Sequence, residues 1–421
     1  MNRFSQLAVP ALIALSGAAS AAPAPHWVAS WQASPQPVWG ADFLFPPLIP
    51  ASLHDQTFRQ TARISLGGTR LRIRLSNAYG TQPLRIGGAS VAPQAGATPQ
   101  QLRFDGRPGV LIGPGQERLS DPLPLAVQGG QALQVSVFVP APTPLQTFHW
   151  DGRQTSWIAP GDQRLARDLS DATATTARLF LTGIEVEAPA STRSVVVIGD
   201  SITDGATASL DRDQRWTDHL AARLAPRGIA VVNAGISGGR LLRDGMGESA
   251  LARFRRDALD QPGVASVIVL IGINDISWPG TAFAREQPRP TLAELQTGYR
   301  ALAEQAHRRG IRIVGATLPP FAGALPGTPL EDYYQPDKDA LRQRLNAWLR
   351  SDNPFDAVID LDTALRDPAD PTRMATAYDS GDHLHPGDAG NRAMAGAVDL
   401  DVLLGGQGSA GVGSLCASKG L

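Results

Sequence analysis

The chain holds one cysteine, Cys416, and two lysines, Lys338 and Lys419, among 421 residues. A lone cysteine excludes an intramolecular disulfide, a cysteine-built metal site and a lipidated cysteine near the start of the mature chain. Neither lysine lies in a Gly-Lys-Ser/Thr context, so there is no phosphate-binding loop of that type, and neither is placed for Schiff-base chemistry. Surplus charge is missing too: the net charge is −1, or −2 once a leader whose only charge is Arg3 is removed. Such balance does not point to nucleic acid or another polyanion. The apolar stretch Leu7 to Leu15 is well short of the ~20 residues that span a bilayer. It follows Arg3 and runs into Ala19-Ser20-Ala21, the pattern of a signal peptide, residues 1–21, cleaved after Ala21. The expected product has no integral membrane segment and is secreted or periplasmic.

What is present divides in two, as the length itself suggests. From about residue 22 to 190, short period-2 runs are separated by glycine and proline. Leu71, Ile73 and Leu75 alternate with arginines, and Leu133, Val135, Val137 and Val139 repeat the pattern. These are half-buried strands of an all-β sandwich or jelly roll. After the Pro-Ala-Ser stretch Ala188 to Thr192 the grammar changes. Residues 191–404 carry apolar runs at Val195–Ile198, Ile229–Val232, Val267–Ile271, Ile311–Val314 and Val358–Leu361. Amphipathic helices alternate with them, marked by Trp216/Leu220/Leu224, Leu292/Leu295/Tyr299/Leu302 and Leu341/Leu345/Trp348. Five buried parallel strands with crossover helices make a three-layer α/β fold, whose ligands sit at the carboxyl ends of the strands. The tail from Gly405 to Leu421 is small and polar, the composition of a disordered segment.

Three strand ends carry polar turns: Gly199-Asp200-Ser201, Asn233-Ala-Gly-Ile-Ser-Gly-Gly239 and Gly272-Ile-Asn-Asp275. Gly-Asp-Ser alone is most often just a turn. Three such turns converging on one sheet edge are more, because acyl transfer needs donors aimed at a developing oxyanion. Ser201 N–H, Gly238 N–H and the Asn274 amide would suit. Near the end, Asp382 and His385 stand three residues apart, a spacing that puts both on one face of a helical turn. A serine hydroxyl needs an imidazole to take its proton, and the imidazole needs a carboxylate on its other nitrogen.

In order and spacing these four blocks resemble the SGNH (GDSL-type) hydrolase family, over about Ser194 to Leu404. The resemblance implies a flavodoxin-like hydrolase domain with Ser201, Asp382 and His385 as catalytic triad. Ser201, Gly238 and Asn274 would form the oxyanion hole, with no cofactor and no metal. Ile202 stands where the family's common form has leucine, which removes no functional group. The region with Trp27, Trp31 and Arg59 to Gly80 also resembles the β-domain of some secreted members.

Rival readings use the same residues. Gly235-Ile-Ser-Gly-Gly239 matches a Gly-x-Ser-x-Gly nucleophile elbow and would make Ser237 the nucleophile. Asp382, His383 and His385 could ligate a metal, although no third histidine context supports it. Trp31, Trp39, Trp150 and Trp157 could grip a polysaccharide in a protein with little catalysis. The expected substrate is a carbohydrate acetyl ester or a small aryl or acyl ester; lipase-type, lysophospholipase-type and acyltransfer chemistry stay open. Substrate contacts are expected in the loops Trp278 to Pro290 and Pro319 to Asp337, from Trp278, Phe283, Phe321, Tyr333 and Tyr334.

Overall fold

The computed structural model describes residues 26–40 and 42–406. The leader, Cys416 and nearly all of the polar tail lie outside the described residues.

Among the described residues, Trp27 to Glu187 build two main antiparallel sheets, with three smaller ones beside them, around one apolar core. One sheet runs in the order Trp27–Gln32, Leu181–Glu187, Leu71–Ser76, Glu117–Leu119. The other runs Thr173–Thr175, Ser156–Pro160, Gln56–Arg63, Ala132–Val139, Gly88–Ala92, Gln100–Gln101. Leu71, Ile73 and Leu75 from the first sheet and Val135, Val137 and Val139 from the second are fully buried in that core. The period-2 alternation thus points each strand's apolar face between the sheets.

A parallel sheet begins at Arg193. Its strands are Arg193–Gly199, Ile229–Gly235, Val264–Leu270, Arg312–Ala316 and Ala357–Ile359, in spatial order second, first, third, fourth, fifth. Val195 to Ile198 are fully buried, as befits a β-branched strand covered on both faces. The helices that cover the sheet include α1 (Ser201–Asp204), α2 (Trp216–Leu224), α3 (Ala250–Phe254), α4 (Ile273–Ser277), α5 (Leu292–His307), α6 (Pro336–Ser351), α7 (Leu361–Leu365) and α8 (Asp388–Gly396). In α5, Leu295, Tyr299, Leu302 and Ala306 bury one face, and a capping box starts the helix: Thr291 Oγ1 accepts from Glu294 N–H while Glu294 accepts from Thr291 N–H. Among the described residues no helix is long and apolar enough to cross a membrane.

The order of the strands decides where chemistry can sit. The chain leaves the first strand to opposite sides, so the ends of the first, second and third strands flank a topological switch point. Gly199 pairs in register with Gly235 on one side and Leu270 on the other, so the three ends are level. The two halves are also packed together. Ala29 joins the core of the α/β part, its N–H donates to Pro262 O (2.9 Å), and Gln32 and Gln36 donate to Asp257 O and Met246 O (both 2.8 Å).

Candidate active site

Ser201 is the first residue of α1, immediately beyond the first strand. Asp200 caps that turn, its Oδ1 accepting from Ile202 N–H at 3.0 Å. Ser201 Oγ lies 2.8 Å from His385 Nε2, and His385 Nδ1 lies 2.6 Å from Asp382 Oδ2. Asp382 Oδ1 accepts from the backbone N–H of Leu384 (3.0 Å) and His385 (2.8 Å). Burial pushes the Asp382 carboxyl up; the His385 hydrogen bond and charge, with those two amides, outweigh it and hold the group well below the usual carboxylate range. A carboxylate that stays ionised keeps a proton on Nδ1 and leaves the Nε2 lone pair facing Ser201.

The Asp382–His385 spacing does not fold as the expected helical turn. The segment is a series of bends, with positive φ at Gly381 (102°) and His383 (60°), and Pro386 follows. The residue before a proline is turned away from helical geometry, and the Asp382 carboxylate captures the amides that a helix would have used. His383 makes a separate pair with Asp379 through Nδ1. Among the described residues, no three His, Cys, Asp or Glu side chains are grouped to hold a metal ion.

The other two turns pack onto the first. Gly238 has φ 71°, a left-handed conformation, and a Cβ there would strike Met246 Sδ and the Trp278 ring, so a glycine is required. Asn274 Nδ2 donates to Gly239 O (2.9 Å), and its Oδ1 accepts from Tyr333 Oη (2.8 Å). These two bonds fix which way the amide faces and leave its second N–H without an acceptor among the described residues. The N–H groups of Ser201 and Gly238 likewise have no acceptor among the described residues. Asn274 does not cap a helix: Gly272 precedes α4, with no side-chain cap.

Three of the expected substrate contacts are buried. Phe321 is 0% exposed and Tyr333 2%; Phe321 is core, and Tyr333 spends its hydroxyl on Asn274. Trp278 is also buried, beneath Gly238 and Gly245. Phe283 and Tyr334 are half-buried. Phe283 stacks on Trp278 (centroids 4.4 Å apart) and on Phe43 (5.5 Å), beyond which lie Phe45, Trp39 and Trp150. Of the other tryptophans considered as sugar contacts, Trp31 is covered by the Arg178 guanidinium at 4.9 Å. Trp157 is 39% exposed.

Several contributors escaped sequence reasoning. Buried Arg253 donates to Gly199 O (2.9 Å) and Ala234 O (2.7 Å), tying the first two strand ends behind Ser201. Asp275 accepts from the amides of Leu241 (2.6 Å) and Leu242 (2.9 Å), closing the loop after Gly239. Asp204 holds Ser237 Oγ (2.8 Å) and N–H (3.0 Å), so the rival serine donates to a carboxylate and, among the described residues, has no imidazole against it. The one available signal was Asp204's place within the Gly199–Gly205 block.

A parallel α/β sheet with a serine, an imidazole and a carboxylate in hydrogen-bonded series at its switch point defines a hydrolase-type fold, and the family comparison makes it a hydrolase of carboxylic esters. Residues 197–393 match the GDSL-like lipase/acylhydrolase family. No curated protein matches it in sequence. Similar solved structures include a G-D-S-L family lipolytic protein from Desulfitobacterium hafniense, 23% identical over 49% of this chain and 97% of that one, with TM-score 0.36. An acylhydrolase from Bacteroides fragilis is 20% identical over 49% and 85% (TM-score 0.36). An acetyl xylan esterase from Geobacillus stearothermophilus is 24% identical over 49% and 92% (TM-score 0.34).

Proposed function

We propose that the protein is an exported serine esterase that works through an acyl-enzyme on Ser201. The observation that carries this reading is the continuous series Ser201 Oγ, His385 Nε2, His385 Nδ1, Asp382 Oδ2, with contacts of 2.8 and 2.6 Å. Ser201 Oγ attacks the ester carbonyl carbon as its proton passes to His385 Nε2. The carbonyl oxygen becomes an oxyanion held by Ser201 N–H, Gly238 N–H and the free N–H of Asn274. Collapse expels the alcohol, which leaves with the proton from Nε2. Water then enters by the same route in reverse roles, releasing the acid and restoring Ser201. Asp382 keeps the imidazole in the productive tautomer and offsets its charge while it is protonated.

For the substrate we propose carbohydrate acetyl esters or small aryl and acyl esters. Half-buried Phe283, Phe43, Phe45 and Trp150 form an aromatic row beginning at the Trp278 ring under the oxyanion turn, and flat rings, of sugar or aryl type, stack on such faces. A second reading, longer acyl chains, is favoured by Leu44 and Leu48, which are 38% and 47% exposed on the same segment. Export rests on the leader pattern before Ala21. The deciding measurement is hydrolysis of p-nitrophenyl esters from acetate to palmitate beside acetate release from acetylated xylan. Our reading expects an optimum at acetate to butyrate; an optimum at long chains would favour the lipase-like alternative.

A further inference from the structure

The β-domain supplies a buried histidine to the α/β part at a position that none of the chemistry above uses. His149, on the strand Thr147–His149, points Nε2 at Asp204 Oδ1 (2.9 Å) and Nδ1 at Ser34 O (3.0 Å). The other Asp204 oxygen, Oδ2, takes both the N–H (3.0 Å) and the O–H (2.8 Å) of Ser237. The next residue is Gly238. Asp204 is also the last residue of α1, one turn after Ser201, and its N–H donates to Asp200 O at 2.8 Å. One carboxylate therefore links the turn that presents Ser201 N–H to the turn that presents Gly238 N–H, and a histidine from the other domain holds that carboxylate. Resting on the esterase reading, we propose that His149 is a positioning residue for the oxyanion hole, acting through Asp204 and Ser237.

Physical chemistry supports the chain of contacts. Ser34 O can only accept, so His149 Nδ1 carries a proton, and Nε2 meets a carboxylate. His149, Asp204 and Ser237 are each at most 5% exposed, so none of these bonds competes with bulk water. Burial pushes the Asp204 carboxyl up, yet His149's charge and hydrogen bond, the Ser237 hydroxyl and Arg215 outweigh it and leave the group below the ordinary carboxylate range. Gly238, with its positive φ and no side chain of its own, is held in place by its neighbours, and oxyanion donors lose their effect when displaced by a fraction of an ångström. The arrangement also gives Ser237 a task other than nucleophile.

His149→Ala and Ser237→Ala test this, with kcat and KM measured on p-nitrophenyl acetate. Binding of an aryl boronic acid, whose tetrahedral serine adduct places an oxygen in the oxyanion hole, is measured beside them. We expect kcat to fall about 10- to 100-fold in either variant with KM within about threefold. Boronate affinity should weaken by the same factor, and the double variant should be little worse than the worse single one. Native-like melting of Ser237→Ala keeps the test open if His149→Ala does not fold. Folded variants with wild-type kcat and boronate affinity, or a kcat loss without boronate weakening, would overturn the proposal. Activity retained in a Ser201→Ala control would instead sink the nucleophile assignment on which it rests.

Discussion

At the scale of single residues, the charge state of each carboxyl near Ser201 follows from what it touches. Asp382 accepts from His385 and two amides and stays ionised. Asp382→Asn removes the carboxylate that selects the tautomer and should lower kcat about 10,000-fold while leaving the melting temperature near wild type. Asp200, fully buried with Oδ2 unpartnered among the described residues, behaves oppositely: burial outweighs the Ile202 amide and raises its pKa to about 7. A raised carboxyl binds its proton more tightly when folded, so its contribution to stability is complete below about pH 4 and is lost as pH rises through about 7. Asp200→Asn should therefore gain melting temperature relative to wild type between pH 4 and 8; a difference that does not change with pH would refute this. Ser201, Gly238, Asn274, Asp382 and His385 are legible because each sits in a short block directly after a strand or beside its partner. His149 and Tyr333 are not, since their partners Asp204 and Asn274 lie 55 and 59 residues away and no local pattern records such a contact.

At the scale of elements, burial on both faces makes the parallel strands readable as apolar runs, and the helix faces of α2, α5 and α6 follow from 3.6-residue spacing. The antiparallel strands can be read one at a time, whereas their order cannot: Trp27–Gln32 pairs with Leu181–Glu187, across most of the β-domain, and nothing in either segment names the other. The Asp382–His385 segment misleads for a related reason, because spacing alone does not reveal that a carboxylate will capture the amides. Arg253 shows what elements demand of one another. The carbonyls of Gly199 and Ala234 depend on its guanidinium, which is wholly buried, and the Asp257 carboxylate is shared between it and Arg256. Arg253→Ala should cost about 3–5 kcal/mol in urea unfolding, the loss typical when one partner of a buried ionic group is removed. A loss below about 1 kcal/mol would mean that water or Arg256 replaces it.

For the whole molecule, the β-domain is part of the catalytic unit's frame. Ala29 enters the α/β core, and Tyr79 Oη donates to Glu248 (2.7 Å), which Arg256 also holds (2.6 Å). Such an apolar and ionic seam should make the two parts unfold together, as one calorimetric transition whose van't Hoff and measured enthalpies agree; two resolved transitions would show independent domains. The central claim remains that Ser201 is the nucleophile, and trypsin offers a direct test because Arg212 and Arg227 put Ser201 and Ser237 on different peptides, 194–212 and 228–240. After reaction with a fluorophosphonate and digestion, mass spectrometry should find one added phosphonyl group on Ser201 in peptide 194–212, absent when the enzyme is first saturated with substrate. A label on Ser237, or esterase inactivation with peptide 194–212 unmodified, would contradict the account.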